Sequence, residues 1–248
     1  MSTFRSKASA STSGVSSDSL IISKPAGVVS TDQLVAVLAS LGGTIYEFAT
    51  PSGWTLLLSE ENESTSSGCN VQVFTRQAGG LGASSTWSAP TGSTHFRGAI
   101  YAYSGADPVT LVGASAPNAA SVTSCSAPSL VAPGPGRLLC AWGWRLREDG
   151  VITPPASVGN VESLSYPLTI GDEAIAASGA TGVRTATCSS AEDAIGVSVF
   201  VPAPAVLTSS LKRWDGSAWV SLPVSRWDGA DWANTDIKRW DGAAWNAI

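Results

Sequence analysis

The sequence predicts an all-β protein: a duplicated antiparallel β-sandwich of jelly-roll-like type, followed by short β-hairpin repeats. Three observations carry this. Short apolar runs rich in β-branched residues alternate with Gly, Pro and Ser spacers through the body of the chain, which is the length and punctuation of strands rather than helices. Motifs of the first half return in the second half in the same order, at offsets of 97 to 104 residues. The C-terminal segment then repeats one 13-residue unit three times, the mark of an array built by stacking a small element.

Taken in order, residues 1–17 are small and polar and are expected to form a flexible arm, because such residues gain too little by burial to offset the entropy of ordering. The expected strands of the first half are Ser19–Ser23, Gln33–Ala39, Trp54–Ser59, Val71–Gln77, Ser85–Ser88 and Phe96–Ser104. In the second half, Arg137–Gly143 echoes Gln33–Ala39, Thr153-Pro154 echoes Thr50-Pro51, and Ala194–Phe200 answers Arg97–Tyr103. The body therefore spans 18–202 as one duplicated sandwich, with Leu34, Val37, Val73, Ile100, Leu138, Val197 and Val199 in its core. Two half-covered sheets bury their apolar faces against each other in such a fold. Pro202-Ala203-Pro204 ends the body, since Pro cannot donate to a ladder, and 203–210 is the linker to the repeats at 211–248.

Composition restricts the function. A chain of 248 residues with 44% hydrophobic content and 13% charge can bury a sizeable core. The net charge of -5 belongs to the body, because the repeats carry five basic and five acidic residues. No face is basic enough for a phosphate backbone, so no nucleic acid is expected as partner. No run of eighteen apolar residues marks a membrane span, and the Ser-rich stretch Met1–Asp18 lacks the apolar region of a secretory signal. Assembly in a host cytoplasm is the corresponding expectation.

No catalytic constellation emerges, and neither cofactor nor metal is expected. Cys69, Cys125, Cys140 and Cys188 are scattered without a CxxC pair or neighbouring His, so they read as small buried or half-buried thiols. His95, the single histidine, heads a strand and has no evident triad or zinc partners. The acids Glu60, Glu61, Glu63, Glu148-Asp149, Asp172-Glu173 and Glu192-Asp193 supply the residue type that glycoside hydrolysis needs, but clustered acids among Ser and Gly are expected to be solvated loop residues. There is no GxSxG, P-loop or dinucleotide loop. The chain is accordingly expected not to be an enzyme.

The candidate binding residues lie in the repeats. The units are Arg213-Trp214-Asp215-Gly216 with Trp219, Arg226-Trp227-Asp228-Gly229 with Trp232, and Arg239-Trp240-Asp241-Gly242 with Trp245; Leu211, Val224 and Ile237 open them. Asp-Gly suits a tight hairpin turn and Trp suits extended backbone, so each unit is expected to be a minimal hairpin with its two Trp residues paired across it. Alternation along a strand puts Trp214, Trp227 and Trp240 on one face and the arginines on the other. Burying one Trp removes roughly 150 to 250 Å² from water, on the order of 4 to 6 kcal/mol as an upper estimate. These residues must therefore pack on something: each other, the body, symmetry-related copies or another protein.

The succession Pro25-Ala26-Gly27, Asp32–Ala36, Thr50-Pro51-Ser52-Gly53-Trp54-Thr55-Leu56, Val73–Arg76, Arg97–Ile100 with Tyr103-Ser104-Gly105, and Gly171-Asp172-Glu173 with Ala180–Thr185 resembles a β-rich domain of minor tail and other virion proteins of phages that infect actinobacteria. The resemblance covers residues 18–202, and the Trp-Asp-Gly repeats resemble terminal segments of the same proteins; the second half has no counterpart of Gly53-Trp54. It implies a non-enzymatic virion structural protein, a minor tail or tail-fibre-like subunit, with other virion proteins as partners and a homo-oligomer, a trimer first, as its state. A capsid decoration or head-fibre protein, and a module that binds host cell-wall glycan through exposed Trp, Asp and Arg, are the alternatives.

Overall fold

The computed structural model describes residues 2–12, 17–41, 46–63, 68–93, 95–114, 121–145, 150–165 and 168–204, and, in the C-terminal segment, 211–214, 217, 219–222, 225–227, 232–234, 238–240 and 245–247. All regular structure among these residues is β, with antiparallel pairing throughout. The chain divides into two compact units, Met1–Pro204 and Ala205–Ile248.

The first half of the large unit contains β1 (Thr3–Ser11), β2 (Ser17–Ser23), β3 (Gln33–Leu41), β4 (Thr55–Glu63), β5 (Gly68–Gln77), β6 (Ser84–Ser93) and β7 (Phe96–Ser104). The second half contains β8 (Leu111–Ala114), β9 (Val122–Ala127), β10 (Val131–Ala132), β11 (Gly136–Trp144), β12 (Ile152–Thr153), β13 (Gly159–Leu164), β14 (Leu168–Ile175), β15 (Gly179–Ala180), β16 (Arg184–Glu192) and β17 (Ala194–Pro202). One five-stranded sheet runs β1-β7-β3-β5-β4 and the other β8-β17-β11-β14-β13. Strand for strand the order is the same, so the body is a duplication. Smaller sheets complete each half: β2-β6 in the first, β9-β16-β12 and the short β10-β15 pair in the second.

Register fixes the correspondence. Leu34 lies opposite Arg76 and Ala102, while Leu138 lies opposite Glu173 and Phe200. The match of Gln33–Ala39 to Arg137–Gly143 therefore stands as the sequence has it. Val35 faces Tyr101 and Leu139 faces Val199, so Tyr101 corresponds to Val199, one residue beyond the expected pairing with Ser198. Only the observed correspondence keeps buried faces aligned, because a slip of one residue turns every side chain to the opposite face.

The expected core residues are all buried, but they belong to three clusters rather than one. Val37, Val73, Val197 and Val199 lie between the two five-stranded sheets. Leu34 and Ile100 lie between the first sheet and β2-β6, with Trp54, Phe74 and Trp87. Leu138 lies under β9, β12 and β16, with Trp142 and Trp144. The body is thus four layers deep instead of a single pair of sheets. Both faces of each large sheet are covered, which is why β3, β7, β11 and β17 read as nearly unbroken apolar runs where half-exposed strands would alternate.

Within the expected arm 1–17, the described residues 3–11 are not free. β1 pairs with β7 from Thr3↔Ser104 to Ser11↔Arg97, and Arg5 forms an ion pair of 2.6 Å with the buried Asp32. Small polar residues are ordered here because an open sheet edge offers backbone hydrogen bonds regardless of side chain. β1 also ties the halves together. Lys7 Nζ donates to the carbonyls of Asn160 (3.0 Å) and Val161 (2.5 Å) and pairs with Glu162 at 2.9 Å. Burial would raise the Glu162 carboxyl, but hydrogen bonds from Ser9 and Lys7 outweigh it and hold the group below its ordinary value. The Tyr101 hydroxyl lies within hydrogen-bond reach of two carbonyls that its single proton can serve, Asn160 O (2.9 Å) and Ile170 O (3.0 Å).

Close contact between layers depends on Gly196 in β17, where an added Cβ would overlap the Ser126 carbonyl of β9. Gly196→Ala should cost about 1 to 3 kcal/mol by overpacking, read as a lower urea midpoint. Gly134→Ala, at a position with open space around the Cα, should leave the midpoint within about 0.5 kcal/mol of the parent.

Candidate functional site

The acidic groups do not behave as solvated loops. Asp172, Glu173 and Asp193 are buried, and Asp172 and Glu173 sit within β14. Each meets an arginine. Arg137 Nε and Nη2 hold Asp172 at 2.9 and 2.8 Å, Arg184 pairs with Glu173, and Arg145 reaches Asp193 at 3.4 Å and Glu192 at 3.9 Å. Asn160 Nδ2 donates a further bond of 2.7 Å to Asp172. A carboxylate buried in a doubly covered sheet is costly unless paired and hydrogen-bonded, and these arginines and Asn160 supply the partners. Glu60 is half-buried and Glu61 exposed on β4; the Glu63 side chain and Glu148-Asp149 fall outside the described residues. Among the described residues no group of His, Cys, Asp and Glu could hold a metal ion.

The four cysteines are buried thiols outside any disulfide. Burial, with smaller contributions from the Asp193 carboxylate and Cys125, pushes the Cys69 thiol far above its ordinary value. Burial also pushes the Cys140 thiol up to about 12, against a lowering hydrogen bond with Ser198. His95 is half-buried at the head of β7, where its backbone carbonyl accepts from the Leu41 N–H at 3.1 Å.

In the C-terminal unit the repeat is a strand pair each time. β18 (Leu211–Trp214) pairs with β19 (Trp219–Leu222), β20 (Ser225–Trp227) with β21 (Trp232–Asn234), and β22 (Lys238–Trp240) with β23 (Trp245–Ala247). The closing register is the same in all three: Trp214↔Trp219, Trp227↔Trp232 and Trp240↔Trp245. Arg213, Arg226 and Arg239 occupy the ladder positions next to them, opposite Val220, Ala233 and Asn246. The turn residues Asp215-Gly216, Asp228-Gly229 and Asp241-Gly242, the openers Val224 and Ile237, and the faces taken by the repeat side chains lie outside the described residues.

A second candidate lies in the first half of the body. A pocket of about 400 Å³ opens between the Pro51–Trp54 turn, the end of β5 and the start of β6. The turn is closed by the Trp54 N–H bonding to Pro51 O at 3.1 Å, and Gly53 takes the left-handed φ of +78° that it needs. Trp54 is nearly buried; its indole N–H donates to Ser85 Oγ at 3.2 Å and its ring centre lies 5.2 Å from that of Trp87. The Arg76 guanidinium lies 5.7 Å above the Trp54 ring and donates to Gln77 O (3.2 Å) and Gly79 O (3.1 Å). A Cβ on Gly53 would sit 3.2 Å from three guanidinium atoms. Ser52, Ser84 and Thr86 add exposed hydroxyls to the wall.

The second half closes the corresponding place with its own residues. The same turn, Val158 N–H to Pro155 O at 3.0 Å, carries Val158 in place of Trp54. Glu173 stands where Arg76 does, by the register given above, and pairs with Arg184 at the head of β16. The sequence marks half of this difference, since Gly53-Trp54 is the motif without a second copy; Arg76 escapes because it is distant along the chain.

Comparison with known protein families, with curated proteins and with solved structures found no match to this chain.

The thiol environment gives a simple check. The native protein should resist a thiol-specific disulfide reagent at pH 8 for hours, and all four cysteines should react at once after denaturation. Rapid labelling of a native thiol would show that the layers over Cys69 or Cys140 open readily.

Proposed function

We propose that this chain is a non-enzymatic structural protein of a bacteriophage particle, a minor tail or tail-fibre-like subunit that acts through protein–protein interfaces formed by its C-terminal hairpins. The observation that carries the reading is the identical closing register of three strand pairs at a 13-residue period, each setting two Trp residues opposite one another. An isolated two-stranded hairpin is marginal in water, so three in succession, each with its aromatic pair, favour burial against copies of the chain or a neighbouring subunit. A threefold arrangement suits a repeating ridge, because closed symmetry buries the same patch on every copy. The virion context is supported by the resemblance of residues 18–202 and of the Trp-Asp-Gly segments. The absorption of Asp172, Glu173, Glu192 and Asp193 into internal ion pairs favours a scaffold over a hydrolase.

Sedimentation of the full chain beside residues 1–204 tests this. The full chain should run as a trimer, and the shorter one as a folded monomer with an unchanged β-type circular dichroism spectrum over the body. A monomeric full chain together with an unfolded 1–204 would make the hairpins part of the body's core and remove the interface.

A further inference from the structure

From the pocket at Trp54 and Arg76 we infer a binding site for an acidic saccharide, a sugar ring bearing a carboxylate, independent of the reading of the hairpins. The cation is the starting point. Arg5, Arg137, Arg145 and Arg184 each face a carboxylate within the body, whereas among the described residues no carboxylate pairs with Arg76. Its guanidinium is nonetheless fixed, by the two carbonyls of Gln77 and Gly79 and by the ring of Trp54. Those bonds use Nε and one hydrogen of Nη2, which leaves the Nη1 edge to donate. A planar cation with a free edge is the geometry that receives a carboxylate.

The duplication supplies the second observation. At the equivalent place in the other half, a strand residue and a covering-strand residue form the pair Glu173–Arg184 and the site is filled from within. In the first half the strand position carries the arginine and the covering strand begins with Ser84-Ser85, so neither strand supplies an acid here and a ligand carboxylate can take that place.

The walls indicate what carries that acid. Ser52, Ser84 and Thr86 offer hydroxyls and Pro51 and Leu81 short apolar surfaces. Gly80 and Gly82 add backbone without side chains at the rim. A space of about 400 Å³ suits one or two sugar units, whose hydroxyls can exchange hydrogen bonds with this wall.

The indole N–H signal of Trp54 in the ¹⁵N-labelled full chain is the reporter, with sodium glucuronate as probe. Glucuronate should shift it saturably in the millimolar range, and glucose, acetate and N-acetylglycine should each bind about tenfold or more weakly. Arg76→Gln should weaken glucuronate by about tenfold or more. Ser84→Glu, which supplies an internal carboxylate as Glu173 does, should abolish the shift while leaving the melting temperature equal or higher. The inference is overturned by the absence of a saturable shift in the parent chain, by Ser84→Glu binding as the parent does, or by acetate or N-acetylglycine matching glucuronate.

Discussion

Burying two large β-sheets on both faces is the constraint from which the rest of this body follows. A sheet covered on one side needs apolar residues at every second position, but one covered on both sides needs them almost everywhere. β3 and β17 meet this demand. A polar group that remains inside is costly unless a neighbouring strand supplies a partner. Asp172 between Arg137 and Asn160, and Asn62 donating to Ala194 O at 3.2 Å, are consequences of that depth.

Duplication satisfied the same layer spacing twice with different side chains. In the first half the outer layer is filled by Trp54, Phe74 and Trp87. In the second, Gly171 takes the ladder position that Phe74 has, opposite Cys140 rather than Ala36. A Cβ there would come within 2.5 Å of Val158, and the missing bulk is supplied by Trp142 and Trp144 from the central strand. Interiors pack to near-crystalline density, so volume lost at one position has to return at another. Where the exchange put Arg76 at the position of Glu173, a pocket remains.

The all-β class, the strands and the repeat hairpins were legible because each has a local signal: run length, turn residues, a fixed period. The number of layers was not. A continuous apolar run such as Leu34-Val35-Ala36-Val37-Leu38-Ala39 announces burial on both sides but does not say which partner covers which face. The acids were misjudged for the same reason, since Asp172 looks alike in sequence whether it borders solvent or Arg137. Residues 3–11 carry little apolar signal beyond Phe4, and their order comes mainly from the β7 edge, about ninety residues away. The pocket was half legible, because Gly53-Trp54 stands out by lacking a copy while Arg76 is brought beneath it only by the register of β3 and β5.

The placement of β1 also sets a timetable for assembly. Its ladder partner is β7, Lys7 reaches Asn160 across 153 residues of sequence, and Ser2 Oγ donates to Val201 O across 199. During synthesis this strand must wait, open-edged, until β7 has emerged, about half the body later, and contacts of such separation are slow to close. Its run of Ser, Ala and Lys resists mispairing during that wait better than an apolar strand would. The polarity that disguises β1 as an arm is what suits a strand whose edge stays open through the synthesis of five others.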